Sequence, residues 1–184
     1  MSTYELVAQG IGIVAMAMNC VSYQQKTQKG VLLCQLIGSA LFAVNFLMLG
    51  AIAGGLLNLI GVFRAVVFLY GEKLRAKHFG WLLGFGSLYV LSYVLVFSAF
   101  GKEPSVKNLM IELLPVIGMV LTTVSFRFAN AKMTRRFGIF SSPLWLIYNV
   151  FSFSVGAIVC ESLNLVSIVV GTVRYDLPRR GHSK

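Results

Sequence analysis

Acidic side chains are scarce in this chain: six in 184 residues, against sixteen lysines and arginines. Charged residues of both signs reach only 12%, while hydrophobic residues make up 57%. A soluble domain of this size has no interior large enough to hide so much apolar surface. A polytopic membrane protein is expected instead. The net charge of +10 would point to nucleic acid in a soluble protein. Here no soluble basic domain is left to carry such binding, so nucleic acid is not an expected partner.

Proline is rare, with 4 residues, and glycine common, with 18, which suits closely packed membrane helices. The three cysteines, Cys20, Cys34 and Cys160, are odd in number and form no CxxC, which excludes a full disulfide framework. They read as small apolar packing residues. His78 and His182 stand apart in basic segments, so no cluster has metal-ligand spacing, and neither metal nor cofactor is expected. The apolar spans lack GxSxG, HExxH and an aspartate dyad, so nucleophilic, zinc and aspartyl chemistry lack their residues and no enzyme is expected. The start, Met1-Ser2-Thr3-Tyr4-Glu5, has no basic n-region and reads as the lead into a retained first span.

Seven apolar stretches remain: Leu6–Ser22, Val31–Leu49, Ile52–Tyr70, Trp81–Phe100, Leu109–Phe126, Phe137–Ser154 and Val155–Val173. Each has about the 17–25 residues that cross ~30 Å of hydrocarbon. Very short turns are expected around Gly50-Ala51 and Val155-Gly156, because each joined stretch is too long for one crossing. With seven crossings, one side receives thirteen basic residues in the segments around Lys26, Lys73, Lys132 and Arg174, and the other only Lys102 and Lys107. The positive-inside rule puts the basic side in the cytoplasm, with the N-terminus outside and the C-terminus inside. The tail from Tyr175 to Lys184 is expected to be mobile.

The chain also repeats itself. Val21-Ser22-Tyr23 returns as Val124-Ser125-Phe126 at an offset of 103, Asn45 as Asn149 at 104, and Gly50-Ala51-Ile52 as Gly156-Ala157-Ile158 at 106. Asn58-Leu59 returns as Asn164-Leu165 at the same 106. The expected fold is thus an all-α membrane protein with seven transmembrane helices, built as two parallel three-helix repeats joined by a central helix, a 3+1+3 plan. The expected units are residues 1–72, a linker helix in 73–108, residues 109–174, and a tail of 175–184.

Polar residues inside the spans are candidates for function because hydrocarbon makes them costly. Asn58 and Asn164 are the leading substrate-binding pair: a carboxamide offers two donors and an acceptor to an uncharged polar solute, although it also serves to bond neighbouring helices. Asn45 and Asn149 form a second pair, nearer the outer helix ends, suited to capping the turns or lining an entrance. Trp145 offers a face on which a sugar or base stacks, or plain packing. Glu161 lies one turn before Asn164 and corresponds to Gly55. It could accept a proton or meet a cation, or sit at the interface. Arg64, the only arginine well inside a span, lies about 120° around its helix from Asn58. It is a substrate contact, a carbonyl or carboxylate partner, or a snorkelling residue. Glu112 reads as a first-turn carboxylate facing a helix N-terminus. Pro115 loosens its helix and is the gating candidate.

The runs AQGIGIVA from Ala8, ELLPVIG from Glu112 and IYNVFSFSVGAIVCESLNL from Ile147 resemble the bacterial inner-membrane YgjV family over nearly the whole chain. The resemblance implies a multi-pass protein of the bacterial inner membrane. The 3+1+3 plan, with an asparagine in the third helix of each triplet, is also similar to the SWEET sugar transporters and the bacterial nicotinamide riboside transporters. That similarity implies that Asn58 and Asn164 are pocket asparagines. The proline-glutamine pair of the related PQ-loop proteins is absent here. The expectation is a small-solute transporter or facilitator for a neutral polar metabolite such as a sugar, nucleoside or vitamin, working by alternating access. Membrane lipid and a small-molecule substrate are its expected partners, and a homo-oligomer is allowed. The competing expectation is a non-transporting receptor or assembly protein whose basic loops dock an acidic protein or anionic lipid.

Overall fold

The computed structural model describes residues 3–48, 52–151 and 155–177. These form seven helices: α1 (Thr3–Tyr23), α2 (Gln28–Met48), α3 (Ile52–Leu69), α4 (Phe79–Ser98), α5 (Val106–Arg127), α6 (Ala131–Phe151) and α7 (Val155–Tyr175). The expected turn at Gly50-Ala51 lies outside the described residues. No turn falls at Val155-Gly156, because α7 already begins at Val155, and residues 152–154 lie outside the described residues.

Most helices start before the apolar stretch does, and local capping explains why. Hydropathy marks where the chain meets hydrocarbon, but a helix runs on until its backbone donors find other acceptors. Thr27 Oγ1 takes the Gly30 amide at 3.2 Å, Ser105 Oγ the Asn108 amide at 3.2 Å, and Asn130 Oδ1 the Lys132 amide at 2.9 Å. The Asn130 cap starts α6 six residues before Phe137. Lys132, Arg135 and Arg136 therefore belong to a helix rather than to a loop. His78 caps α4, its Nδ1 accepting from the Gly80 amide at 3.0 Å.

Among the described residues, α1, α2, α4, α5 and α7 carry stretches long and apolar enough to cross a membrane, and α3 holds the shorter apolar run Gly55–Leu69. The basic first turns of α6 keep it out of that set. Large apolar side chains face outward, for example Leu83, Val90, Leu91 and Val94 on α4 and Val166, Val169 and Val173 on α7. Polar ones turn inward. That inversion fits a protein solvated by lipid tails.

α2 packs between α1 and α3, and α6 between α5 and α7; α1 also meets α7, and α4 rests on α5 and α3. The dry core lies in the α3–α4–α5 seam. Phe68 packs edge-on to Phe126 with ring centroids 5.6 Å apart, and Trp81 stacks on Phe85 at 5.9 Å. Small residues set the other contacts. A Cβ on Gly38 would stand 2.6 Å from Asn19 Oδ1, and one on Gly118 2.8 Å from the Trp145 indole nitrogen. Gly171 passes so close to the Tyr23 carbonyl oxygen that a Cβ would collide with backbone.

Gly171→Ala is therefore expected to push α7 off α1 and cost about 1–3 kcal/mol, read as a lower unfolding temperature in detergent. Gly84→Ala meets nothing within 4 Å and should leave that temperature unchanged. Equal melting of the two variants would show that the α1–α7 contact is not close.

A polar cavity between the helices

Six of the helices, all but α4, enclose one cavity of about 350 Å³. That volume lies at the small end of the ~300–1,000 Å³ of small-molecule sites. Asn58, Asn164, Asn45, Asn149, Trp145, Arg64 and Glu161 all line it. The arrangement places the four matched asparagines and both central charges around one space. Gln9, which the 103 offset matches to Glu112, adds a polar group, as do Asn19, Gln35, Ser39 and Thr122, which the sequence alone did not single out. Their common signal is position: each lies on a helix face that also carries glycine, serine or asparagine.

The asparagines do different work. Asn164 bridges α1 and α7, its Oδ1 accepting from the Cys20 thiol at 3.3 Å and its Nδ2 approaching Cys160 Sγ at 3.9 Å. Two of the three cysteines are thus polar partners of a buried carboxamide, not merely apolar packing. Asn45 holds α2 to α1 through Nδ2, which donates to the Ala8 carbonyl at 2.7 Å. Its side chain leaves Gly12 no room for a Cβ without a shift, the nearest atom being 3.0 Å away. Asn149 is buried in α6, and Asn58 is half-buried in α3.

Arg64 is only 5% exposed. Its Nη1 donates to Tyr89 Oη at 3.2 Å, the Met119 carbonyl at 3.3 Å and Thr123 Oγ1 at 3.4 Å. The Tyr89 and Thr123 hydroxyls bond each other at 2.9 Å, and the guanidinium lies 5.1 Å from the Phe126 ring centroid. This cradle from α4 and α5 holds the charge without a carboxylate. In α7, Glu161 accepts from Ser142 Oγ of α6 at 3.0 Å. The two ion pairs among the described residues lie elsewhere, so Arg64 and Glu161 line one cavity unpaired with each other.

The basic end of the bundle is clasped shut. Arg135 Nε and Nη2 grip both oxygens of Asp176 at 2.8 and 2.6 Å, and Nη1 donates to the Gln25 and Tyr23 carbonyls at 2.8 and 3.3 Å. Beside it, Gln24 Nε2 donates to the Ser167 carbonyl at 2.6 Å, and Ser167 Oγ to the Cys20 carbonyl at 2.5 Å. Asp176, the only aspartate in the chain, was expected in a mobile tail; its ion pair with Arg135 docks it instead. At the other end Glu112 is not in a first turn, since α5 begins at Val106. It is buried and paired with Lys102. Pro115 lies inside α5, buried beside Glu112 in a separate crevice of about 20 Å³, away from the large cavity. Its ring removes one backbone donor from α5. Among the described residues no group of histidine, cysteine and acidic side chains could hold a metal ion.

Helices that are apolar outside and polar within, wrapped around one cavity, define a multi-pass helical membrane protein. The family described as bacterial inner membrane protein, Imp-YgjV, matches residues 6–179, and the chain belongs to it. The chain is similar to the inner membrane protein YgjV of Escherichia coli (strain K12), being 24% identical over 182 residues that cover 98% of this chain and 91% of that one. No solved structure matches.

Breaking the clasp tests its role in holding the basic end together. Asp176→Asn should cost about 3 kcal/mol, because a buried guanidinium loses its counter-charge. Arg136→Gln, at an exposed position, should cost almost nothing. Thermal unfolding of both variants in detergent checks this, and equal unfolding temperatures would contradict it.

Proposed function

We propose that the chain is a small-solute transporter or facilitator of the bacterial inner membrane, taking a polar metabolite of no net charge such as a sugar, nucleoside or vitamin. In this reading α1–α3 and α5–α7 are two parallel repeats joined by α4, and they rock about the cavity between them. The observation that carries the reading is the convergence of Asn58, Asn164, Asn45 and Asn149, matched in pairs along the sequence, on one cavity. A chain that only packed its helices together would have no need to keep so many polar groups around an open space in hydrocarbon.

The clasp supplies the second support. In alternating access one end is sealed while the other opens. The Arg135–Asp176 pair and the Gln24–Ser167 bonds tie α1, α6 and α7 at the basic end. With that end cytoplasmic by its basic residues, this conformer is closed toward the cytoplasm. A receptor or assembly role has less behind it, because Arg135, one of the charges it would use, is turned inward.

Purified protein in liposomes, offered a panel of labelled sugars, nucleosides, vitamins, amino acids and glycine betaine, tests the reading. Uptake above empty liposomes is expected. Asn58→Ala should cut it by about tenfold or more, the loss of one or two hydrogen bonds to the solute. Asn164→Ala should lower both uptake and melting temperature, since it also removes the α1–α7 bridge. No uptake across the panel, or full uptake by Asn58→Ala, would overturn the proposal.

A further inference from the structure

Resting on the transport reading, we infer that the cavity is a dipolar site, selective for small zwitterions that carry a carboxylate-type anion at one end and an ammonium-type cation at the other. Arg64 comes from α3 and is cradled by α4 and α5; Glu161 comes from α7 and is held by α6. Both line the same cavity, and no ion pair joins them. A guanidinium stays charged at any physiological pH, and in hydrocarbon it gains most from an anion that touches it.

The geometry of Arg64 leaves a place for that anion. Among the described residues its hydrogen bonds all leave through Nη1. Nε is buried with no acceptor. Nη2 shares with the buried Nε an edge of two parallel N–H groups that meets no acceptor among the described residues, the spacing that a carboxylate accepts side-on. The protein supplies neutral acceptors to Nη1 and none to this edge. At the opposite pole, the Glu161 carboxylate is positioned by Ser142 and offers acceptor oxygens to a cation. Between the poles the cavity wall carries Trp145, Phe42 and Met119, apolar surfaces for an uncharged body. A solute with only one charge satisfies one pole and leaves the other bare. A zwitterion satisfies both, and it crosses with no net charge.

The test is equilibrium binding to the purified full-length protein in detergent, by calorimetry and by ligand-induced change in melting temperature. The probes are the common amino acids and glycine betaine, each set beside its deaminated acid and its decarboxylated amine, with glucose and a nucleoside as uncharged references. At least one zwitterion should bind about tenfold or more tighter than both of its single-charge counterparts and than the references, the worth of one charge-assisted contact. Arg64→Gln should erase its advantage over the amine, and Glu161→Gln its advantage over the acid. Arg64→Lys, which keeps the charge without the fork, should weaken the zwitterion while keeping the ranking. Absence of zwitterion binding, equal binding of a single-charge or uncharged probe, or an unchanged ranking in folded Glu161→Gln would each overturn the dipolar site. The readout does not depend on translocation. Binding without uptake would remove the transport reading alone. Uptake that ignores charge would remove the dipolar site alone.

Discussion

A charged or amide side chain in hydrocarbon has no solvent to turn to, and the bundle is organised around meeting that need. Exposed faces carry leucine, valine and isoleucine, while asparagine, serine, threonine and arginine point between helices. Several of these inward groups bond a neighbouring helix or face the cavity. Asn164 does both: it ties α1 to α7 through Cys20 and lines the cavity. The same atoms that hold the helices in place also set the polarity of the cavity wall. On the transport reading, a substitution there acts on stability and on recognition together.

Scarcity of acid sharpens the constraint. With six carboxylates in the chain, each ionic partnership is a specific choice. Asp176 goes to Arg135 and Glu112 to Lys102, each near one end of the bundle. Arg64 receives none, and its positive charge is spread over Tyr89, Thr123, a backbone carbonyl and the face of Phe126. Neutral dipoles and an aromatic face stabilise a guanidinium while leaving its charge available. Had the middle of the bundle been built only to be stable, a carboxylate against Arg64 or an aliphatic residue in its place would serve better.

The seven helices were legible in the sequence because hydrocarbon leaves an apolar stretch of membrane length little choice: its backbone groups must bond within the segment, as a helix does. The helix starts were misread where polar caps extend the helix beyond hydrocarbon, most at α6, whose first turns hold Lys132, Arg135 and Arg136. Basic residues at a span's edge look the same whether they lie in a loop or in a helix. Asp176 was misread for a different reason: its partner is 41 residues away, and no local pattern reveals a long-range pair. The four asparagines around the cavity were reached through the internal offset, which uses distance along the chain rather than hydropathy, and Arg64, Glu161 and Trp145 through their cost or shape inside an apolar span. Arg64, about 120° from Asn58 on α3, still lines the same cavity because the space is wide and an arginine is long.

That same offset shows where the two halves part. At 106 positions, which links Asn58 to Asn164, Arg64 falls on Val170 and Glu161 on Gly55. Val170 is exposed toward lipid, and the Gly55 position is closed by Leu47, which would lie 2.9 Å from an added Cβ. Neither counterpart has room or reason for a charge. The carboxamides therefore mark what the halves hold in common, and the charges mark what each has alone. A frame with matched asparagines on both sides has no preferred end. In the proposed dipolar site, a guanidinium from the first repeat and a carboxyl group from the second give the cavity a direction, so that a solute lying across it has a head and a tail.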